Sequence, residues 1–339
     1  MKTILTMAGA AIGVSLVAGA AFAGPTLDAI KKNDYVRCGV NTGLGGFGIP
    51  DSSGKWKGLD VDMCHAFAAA ALADANKVKF VPLSSEQRFT ALQSGEIDVL
   101  SRDTTWTITR EGDLGTLFAP VTYYDGQGFM VPKKLGVKSA KDLNGATICV
   151  QSGTTTELNL ADYFQSNDMT YTPVVIDSLA QVNTAFFAGR CDVYTDDASG
   201  LAAVRAAAAN ADDYEILPER ISKEPLAPAV RQGDDEWFNI VRWSVFATIQ
   251  AEEWGITSKN LDTFKDAKNP DIQRFLGLAP GIGKAVHLDD KWASNIISQV
   301  GNYGEIYERN VGVNTPLKLE RGLNALWTKG GLMYSPPAR

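Results

Sequence analysis

The chain alternates between short apolar runs and longer segments whose apolar residues recur at helical spacing. The run at 36–40 predicts a strand, the alanine-rich segment 59–73 a helix, and residues 78–81 a second strand. Another helical segment stops at Gly95, and residues 97–100 predict a third strand. Because strands and helices take turns in this way, we expect an α/β fold with mostly parallel sheets flanked by helices.

This pattern occurs twice along the chain. Residues 91–99 match residues 185–193, since in both segments a helix ends at glycine and an Asp-Val pair begins a strand. Residues 36–41 and 147–152 also share their order of apolar and polar positions. A chain of 339 residues exceeds what one core usually organises. The two matches therefore predict two similar α/β lobes.

Two segments have the character of connections between lobes. They lie near 126–131 and 224–230, and they combine extended residues with glycine or proline. We expect them to be hinge strands that cross from one lobe to the other. The predicted domains are a signal peptide (1–23), a first lobe (24–129 plus 230–339) and a second lobe (130–229).

The N-terminus has the pattern of a secretory signal. Lys2 precedes an apolar stretch at 4–20, and the small-x-small motif at 21–23 is a cleavage site. The stretch is shorter than the roughly 20 residues that span a bilayer. Because no cysteine lies near the cleavage site, we expect no lipid anchor. We predict a soluble protein of the periplasm.

Composition narrows the possible partners. The net charge is −7 and basic residues form no cluster, which argues against nucleic acid or an anionic membrane as a partner. The four cysteines show no CxxC or Cys/His spacing, so the sequence predicts no metal site. Of the three possible pairings we favour Cys38–Cys64 with Cys149–Cys191, because each bridge then stays inside one lobe. Four buried free thiols remain the alternative.

Polar loops follow the predicted strands, where ligands of α/β proteins bind. They lie at 101–110, 151–157 and 196–197. Thr154 and Glu157 form a capping-box pattern, and a helix N-terminus suits a carboxylate. The same pattern is compatible with an ordinary capped helix.

Two charged side chains in these loops suit the ends of a zwitterion. Arg110 offers a bidentate clamp for a carboxylate, and Asp197 an acceptor for an ammonium group. Most arginines after such a loop are merely solvated, and Asp197, taken alone, is equally compatible with a turn aspartate.

The run Thr-Trp-Thr-Ile-Thr-Arg at 105–110, followed by Phe-Ala-Pro-Val-Thr-Tyr-Tyr at 118–124, resembles a signature of family 3 extracellular solute-binding proteins. Segments 58–62, 151–155 and 189–192 fall in that family's order and spacing. The resemblance implies a type II periplasmic binding protein, whose two lobes close over a ligand by hinge motion. C-terminal segments further resemble the general L-amino acid-binding subgroup; they lie at 302–305, 308–310 and 321–327.

The resemblance also assigns roles to individual residues. It implies that Arg110 grips an α-carboxylate with help from Thr105 and the backbone at Thr155. Asp197, or its neighbour Asp196, would hold the α-ammonium group. Further candidate ligand residues are Asn41, Asp103, Thr154, Phe47, which would cover the ligand side chain, and Trp106.

The function implied is that of a substrate-binding component of an ABC importer. It would bind free L-amino acids over a broad range, act as a monomer, and deliver them to permease subunits in the inner membrane. We predict no cofactor and no enzymatic activity. Two alternatives stay open: a dehydratase of the cyclohexadienyl or arogenate type on the same fold, and a receptor that signals to a membrane sensor.

Overall fold

The computed structural model describes residues 24–339, so the predicted signal peptide at 1–23 lies outside the described residues. The strands are β1 (Val36–Val40), β2 (Ile49–Pro50), β3 (Trp56–Lys57), β4 (Val78–Pro82), β5 (Val99–Leu100), β6 (Thr116–Phe118), β7 (Tyr123–Asp125), β8 (Gln127–Pro132), β9 (Thr147–Gln151), β10 (Thr172–Ile176), β11 (Val193–Asp197), β12 (Tyr214–Ile216), β13 (Glu224–Leu226) and β14 (Ala229–Arg231). The α-helices are α1 (Pro25–Asn33), α2 (Leu59–Leu72), α3 (Arg88–Ser94), α4 (Ile108–Gly112), α5 (Thr155–Ser166), α6 (Leu179–Phe187), α7 (Ala198–Ala207), α8 (Asp235–Glu253), α9 (Pro270–Phe275), α10 (Trp292–Gln299) and α11 (Tyr303–Asn310). Within the described part of the chain, no helix is both long and apolar enough to cross a membrane.

Two five-stranded sheets form two lobes with the same arrangement of strand directions. The first lobe has the strand order β4-β1-β5-β14-β6, and the second has β10-β9-β11-β8-β12. In each sheet the first three strands are parallel, the fourth is antiparallel to both neighbours, and the fifth again follows the common direction. This confirms the predicted α/β class and the two mostly parallel sheets, which the repeated sequence pattern indicated.

The chain crosses between the lobes twice. β7 pairs with β13 in an antiparallel ribbon, with Asp125 opposite Glu224 and Tyr123 opposite Leu226. β7 continues into β8 of the second sheet, and β13 leads into β14 of the first. The antiparallel fourth strand of each sheet is therefore the one that enters from the hinge. The exact lobe boundaries stay a prediction.

Each lobe has its own apolar core and its own disulfide. Cys38 of β1 is bonded to Cys64 of α2, with 6.1 Å between the Cα atoms. Cys149 of β9 is bonded to Cys191, just before β11, with 5.6 Å between the Cα atoms. This is the pairing that the sequence favours. Since neither bond joins the two lobes, neither restricts a motion at the hinge.

The C-terminal segment packs against the first lobe. Its buried aromatic residues Phe275, Trp292, Tyr303 and Tyr307 belong to the same apolar cluster as α2 and α8. The Tyr303 hydroxyl donates to the carbonyl oxygen of Thr122 at 2.8 Å, just before the hinge ribbon. The segment that exceeds a minimal two-lobe fold therefore braces the first lobe.

Candidate ligand-binding site

The loops that follow β1, β5, β9 and β11 meet between the lobes and enclose a cavity, as expected for the carboxyl ends of parallel strands. The centres of water molecules can reach only about 20 Å³ of it, about the room that one water needs, so a larger ligand enters only when the lobes move apart. The lobes are therefore drawn close together around this space. The lining residues are Asn41, Leu44, Arg88, Arg102, Asp103 and Thr105 of the first lobe, and Gln151, Thr154, Thr155, Thr156, Leu179, Asp196 and Asp197 of the second.

In the first lobe, Asp60 holds the loop after β5 in place. Its carboxylate accepts the backbone N–H of Asp103 at 2.8 Å, and its carbonyl accepts the Ser101 hydroxyl at 3.0 Å. Asp103 adopts a left-handed φ of 33°, and its carboxylate accepts the amide of Asn41 at 2.9 Å. Burial, reinforced by the Asp103 charge, raises the pKa of Asp60 to about 8. These contacts orient Asp103 towards the cavity.

In the second lobe, helix α5 begins at the cavity. The Thr154 hydroxyl accepts the backbone N–H of Glu157 at 3.2 Å and donates to the carbonyl of Gln151 at 2.7 Å. Thr154 is thus the predicted N-cap of this helix. The partial positive charge of the helix N-terminus faces the same space as the charged side chains.

Two neighbouring carboxylates at the end of β11 complete this side. The backbone N–H of Asp197 donates to Asp196 at 2.9 Å, while Oδ1 of Asp197 is buried without a hydrogen-bond partner among residues 24–339. Burial raises the pKa of Asp196 to about 7. Burial, followed by the charges of Asp125 and Asp196, also raises the pKa of Asp197.

Two buried arginines, Arg88 and Arg102, line the first-lobe side, and both are only 2% exposed. Arg88 donates to the Gly153 carbonyl of the second lobe at 3.1 Å, but its Nε has no partner within residues 24–339. Arg102 donates to the Leu83 carbonyl at 3.0 Å and lies 3.6 Å from the Asp103 carboxylate. Burial, together with the charges of Arg110 and Arg102, lowers the pKa of Arg88.

Arg110, the predicted carboxylate clamp, lies behind the lining residues of the first lobe and is not itself part of the cavity lining. Its guanidinium donates to the Thr105 carbonyl at 2.8 Å and stacks over the Phe89 ring at 5.2 Å. It faces a neighbouring groove that also borders Thr154 and Thr155. Burial lowers the pKa of Arg110 to about 10, opposed by the charges of Glu224 and Asp197.

Glu224 of the hinge strand β13 is a buried acceptor that sequence analysis did not identify as part of the site. It accepts the Thr105 hydroxyl at 2.6 Å and the Thr155 hydroxyl at 2.8 Å, one from each lobe. It also accepts the Asn159 amide at 2.7 Å. Since a hydroxyl has one proton, neither threonine can donate to a ligand in this arrangement. Their role here is to connect both lobes to the hinge.

Two predicted aromatic residues lie outside the cavity lining. Phe47 is buried in the first-lobe core, where its ring packs edge-on against Tyr123 at 5.3 Å. Trp106 is 40% exposed; it stacks on Phe118 at 6.0 Å. Leu44 and Leu179 supply the apolar lining instead.

The structure brings seven of the ten predicted ligand residues together: Asn41, Asp103, Thr105, Thr154, Thr155, Asp196 and Asp197. Sequence analysis missed Arg88 because it lies on a helix and in none of the loops after a strand. Arg102 and Gln151 lie within the polar loops that follow predicted strands. Their position in the sequence could therefore have identified them as lining residues.

Comparisons with known proteins agree with this architecture. The family model of bacterial extracellular solute-binding proteins, family 3, matches residues 36–260. The chain is 59% identical to the general L-amino acid-binding periplasmic protein AapJ of Rhizobium johnstonii over 100% of both chains. It is 57% identical to the glutamate/glutamine/aspartate/asparagine-binding protein BztA of Rhodobacter capsulatus over 96% of both.

Solved structures show the same fold. A periplasmic binding protein from Brucella ovis with glutathione bound superimposes with a TM-score of 0.91 at 55% identity, covering 93% of this chain and 99% of that one. A cysteine-binding protein from Campylobacter jejuni gives a TM-score of 0.60 at 27% identity, covering 68% and 90%. The fold is that of the type II periplasmic binding proteins. The chain belongs to the bacterial extracellular solute-binding proteins of family 3.

Proposed function

We propose that this protein is the periplasmic substrate-binding component of an ABC amino-acid importer, and that it binds free L-amino acids between its two lobes. Membership of the family and the names of its relatives support this proposal. Both relatives are named for more than one amino acid, which supports a broad range of ligands.

One observation carries the assignment of the ligand class. Arg88 and Asp197 both line the cavity, and Nε of Arg88 and Oδ1 of Asp197 are each buried without a partner in the described part of the chain. Burying such groups unpaired is costly, so a ligand that pairs both is favoured. An α-amino acid does so with its carboxylate at Arg88 and its ammonium group at Asp197.

Arg110 offers a second place for the carboxylate, as the family resemblance implies. Its Nη1 donates to the carbonyl of Thr105, and the remaining N–H groups of the guanidinium can serve that contact. The variants Arg88→Gln and Arg110→Gln, each titrated with free amino acids and with their amides, separate the two arrangements. Both variants lose a hydrogen bond within the protein, but only the arginine in contact with the carboxylate should change the ratio between the two affinities.

The test is isothermal titration of the ligand-stripped mature protein with the twenty L-amino acids, their D-isomers and their amides. We expect many L-amino acids to bind, with loss of binding on amidation. Asp197→Asn and Arg88→Gln should weaken binding about 30-fold or more, in keeping with roughly 2–5 kcal/mol for a buried charge pair. A large loss in Arg110→Gln alone would place the carboxylate at Arg110. Amides binding as tightly as free amino acids would contradict the proposal.

Binding without chemical conversion is part of the proposal. The carboxylate of Asp196, with its raised pKa, has the property of a general acid or base, so the dehydratase alternative requires its own test. Incubation with arogenate and prephenate, followed by chromatography of the recovered ligand, should return both unchanged. Release of product above the rate without protein would support the enzyme.

The finer details of location and assembly are also proposals. We propose that cleavage after Ala23 releases a soluble monomer without a lipid anchor, which then docks on permease subunits of the inner membrane. Mass spectrometry of the periplasmic fraction should find Gly24 as the first residue. An acylated N-terminus or retention in the membrane fraction would contradict this.

A further inference from the structure

The apolar lining of the cavity consists of two leucines from opposite lobes. Leu44 lies in the loop after β1 and is 5% exposed; Leu179 is the first residue of α6 and is 6% exposed. Every other lining residue is polar or charged. These two side chains are therefore the part of the lining that suits an alkyl group.

The two leucines lie in an apolar contact between the lobes. Leu179 and Ala203 belong to the second lobe, yet they fall in the same buried cluster as Leu44 and the first-lobe core. Most other buried apolar residues of the second lobe form two separate clusters. A Cβ placed on Gly45 would lie 3.9 Å from the Ala203 Cβ, so the gap between the two lobes there is little more than the width of a methyl group. We call Leu44, Gly45, Leu179 and Ala203 the apolar seam.

We propose that the side chain of the bound amino acid packs between Leu44 and Leu179, and that Leu179 determines which side chains fit. This inference rests on the proposed function. With the carboxylate at Arg88 and the ammonium group at Asp197, the third substituent of the α-carbon faces what remains of the lining. Apolar side chains then bury surface against both leucines at about 25 cal/mol per Å².

The polar neighbours of the seam account for a mixed range of ligands. Asn41, Arg102 and Gln151 line the same cavity, and their amides and guanidinium can pair with amide or carboxylate side chains. Neither leucine is aromatic, so both can change rotamer to suit ligands of different width. The same cavity lining can thus contact both alkyl and polar side chains of the ligand.

Because of its position, the apolar seam also makes closure of the two lobes depend on the size of the ligand side chain. Because Leu44 and Leu179 come from different lobes, a ligand side chain is enclosed between them only when the lobes approach. A side chain that is too wide holds the lobes apart and weakens every contact of the closed state. Selectivity for size is therefore expected to depend on the volume of residue 179.

The experiment measures the dissociation constants of glycine, alanine, norvaline, leucine and phenylalanine for four variants. Leu179→Phe should weaken leucine and phenylalanine at least tenfold while glycine and alanine stay within threefold of wild type. Leu179→Ala and Leu44→Ala should shift the preference towards phenylalanine. Leu135→Phe is the control, because Leu135 lies in the same lobe, is 42% exposed and is outside both the cavity lining and the groove beside Arg110; its affinities should match wild type.

Circular dichroism and the thermal midpoint establish that each variant is folded. If Leu179→Phe does not fold, the two alanine variants still test the role of the leucines. A change of equal size for all five ligands, or no change, would overturn the role of Leu179. If the wild-type protein itself binds no amino acid, the proposed function fails instead. The two failures are therefore distinguishable.

Discussion

At the scale of single residues, the cleft depends on carboxylates that have different tasks. Glu224 is only 1% exposed and is fully engaged with side chains of the protein. Asp60 is likewise buried and orients Asp103. Asp197 keeps a buried oxygen without a hydrogen-bond partner among residues 24–339. Chemically similar groups thus differ in function because the surrounding donors satisfy some of them and leave one available.

The raised pKa of Asp196 predicts a pH dependence of stability. Its folded-state pKa is about 7 against an ordinary 3.8, so the folded state binds this proton more tightly than the unfolded state. The resulting stabilisation is complete below about pH 4 and is lost as the pH rises through about 7. The thermal midpoint of wild type relative to Asp196→Asn should therefore fall by a few degrees between pH 5 and pH 8. If scanning calorimetry showed the thermal midpoints of wild type and Asp196→Asn changing in parallel with pH, the raised pKa of Asp196 would be contradicted.

At the scale of elements, the N-terminus of α2 positions the loop that carries Leu44. The backbone N–H groups of Leu59 and Asp60 donate to the carbonyls of Gly46 and Phe47 at 2.9 and 3.1 Å. Gly58 permits this approach, since its φ is 138° and a Cβ there would lie 2.0 Å from the Phe47 carbonyl oxygen. A backbone oxygen cannot move aside as a flexible side chain can.

Gly58→Ala should therefore displace the loop that carries Leu44 and weaken ligand binding. Gly54→Ala is the matched control, because Gly54 has a φ of 83° but no atom of the described residues lies within 4 Å of its Cβ position. We expect Gly58→Ala to destabilise the protein by roughly 2 kcal/mol or more beyond Gly54→Ala, since only the former adds a clash to the backbone strain. Urea unfolding and isothermal titration measure the two effects. Equal losses in both variants would argue against the close approach.

At the scale of the whole molecule, closure depends on few direct contacts between the lobes. The Ser85 hydroxyl, in the loop just before α3, donates to the Ser152 carbonyl of the second lobe at 3.0 Å. Arg88 donates to the adjacent Gly153 carbonyl at 3.1 Å. In an open state water can satisfy these groups, so each bond contributes only to the closed form that holds the ligand.

Ser85→Ala should raise the dissociation constant about fivefold for every ligand, since a neutral hydrogen bond contributes roughly 1 kcal/mol. Ser94→Ala is the control, because Ser94 bonds to Ala91 within the same helix. Isothermal titration gives the constants, and small-angle scattering should show less compaction of Ser85→Ala at subsaturating ligand. A selective effect on one class of ligands would indicate that Ser85 acts on the ligand itself.

Much of the architecture could be predicted from the chain. The repeated segments at 91–99 and 185–193 predicted the two lobes, because their turn chemistry and apolar spacing are local properties. The cysteine pairing followed from keeping each bridge inside one lobe. The loops after the predicted strands also contain charged residues of the cavity lining, among them Asp103 and Asp197.

The sequence by itself thus determined the elements, their duplication, the family and most of the polar lining, since these depend on residues close together in the chain. Only the tertiary structure decided that Arg88 faces the cavity while Arg110 lies behind Thr105. It also decided that Leu179 meets the first lobe, and that Glu224 accepts a hydroxyl from a residue 119 positions away. Such contacts arise from how two separately folded sheets approach across a hinge, and no local pattern records that approach.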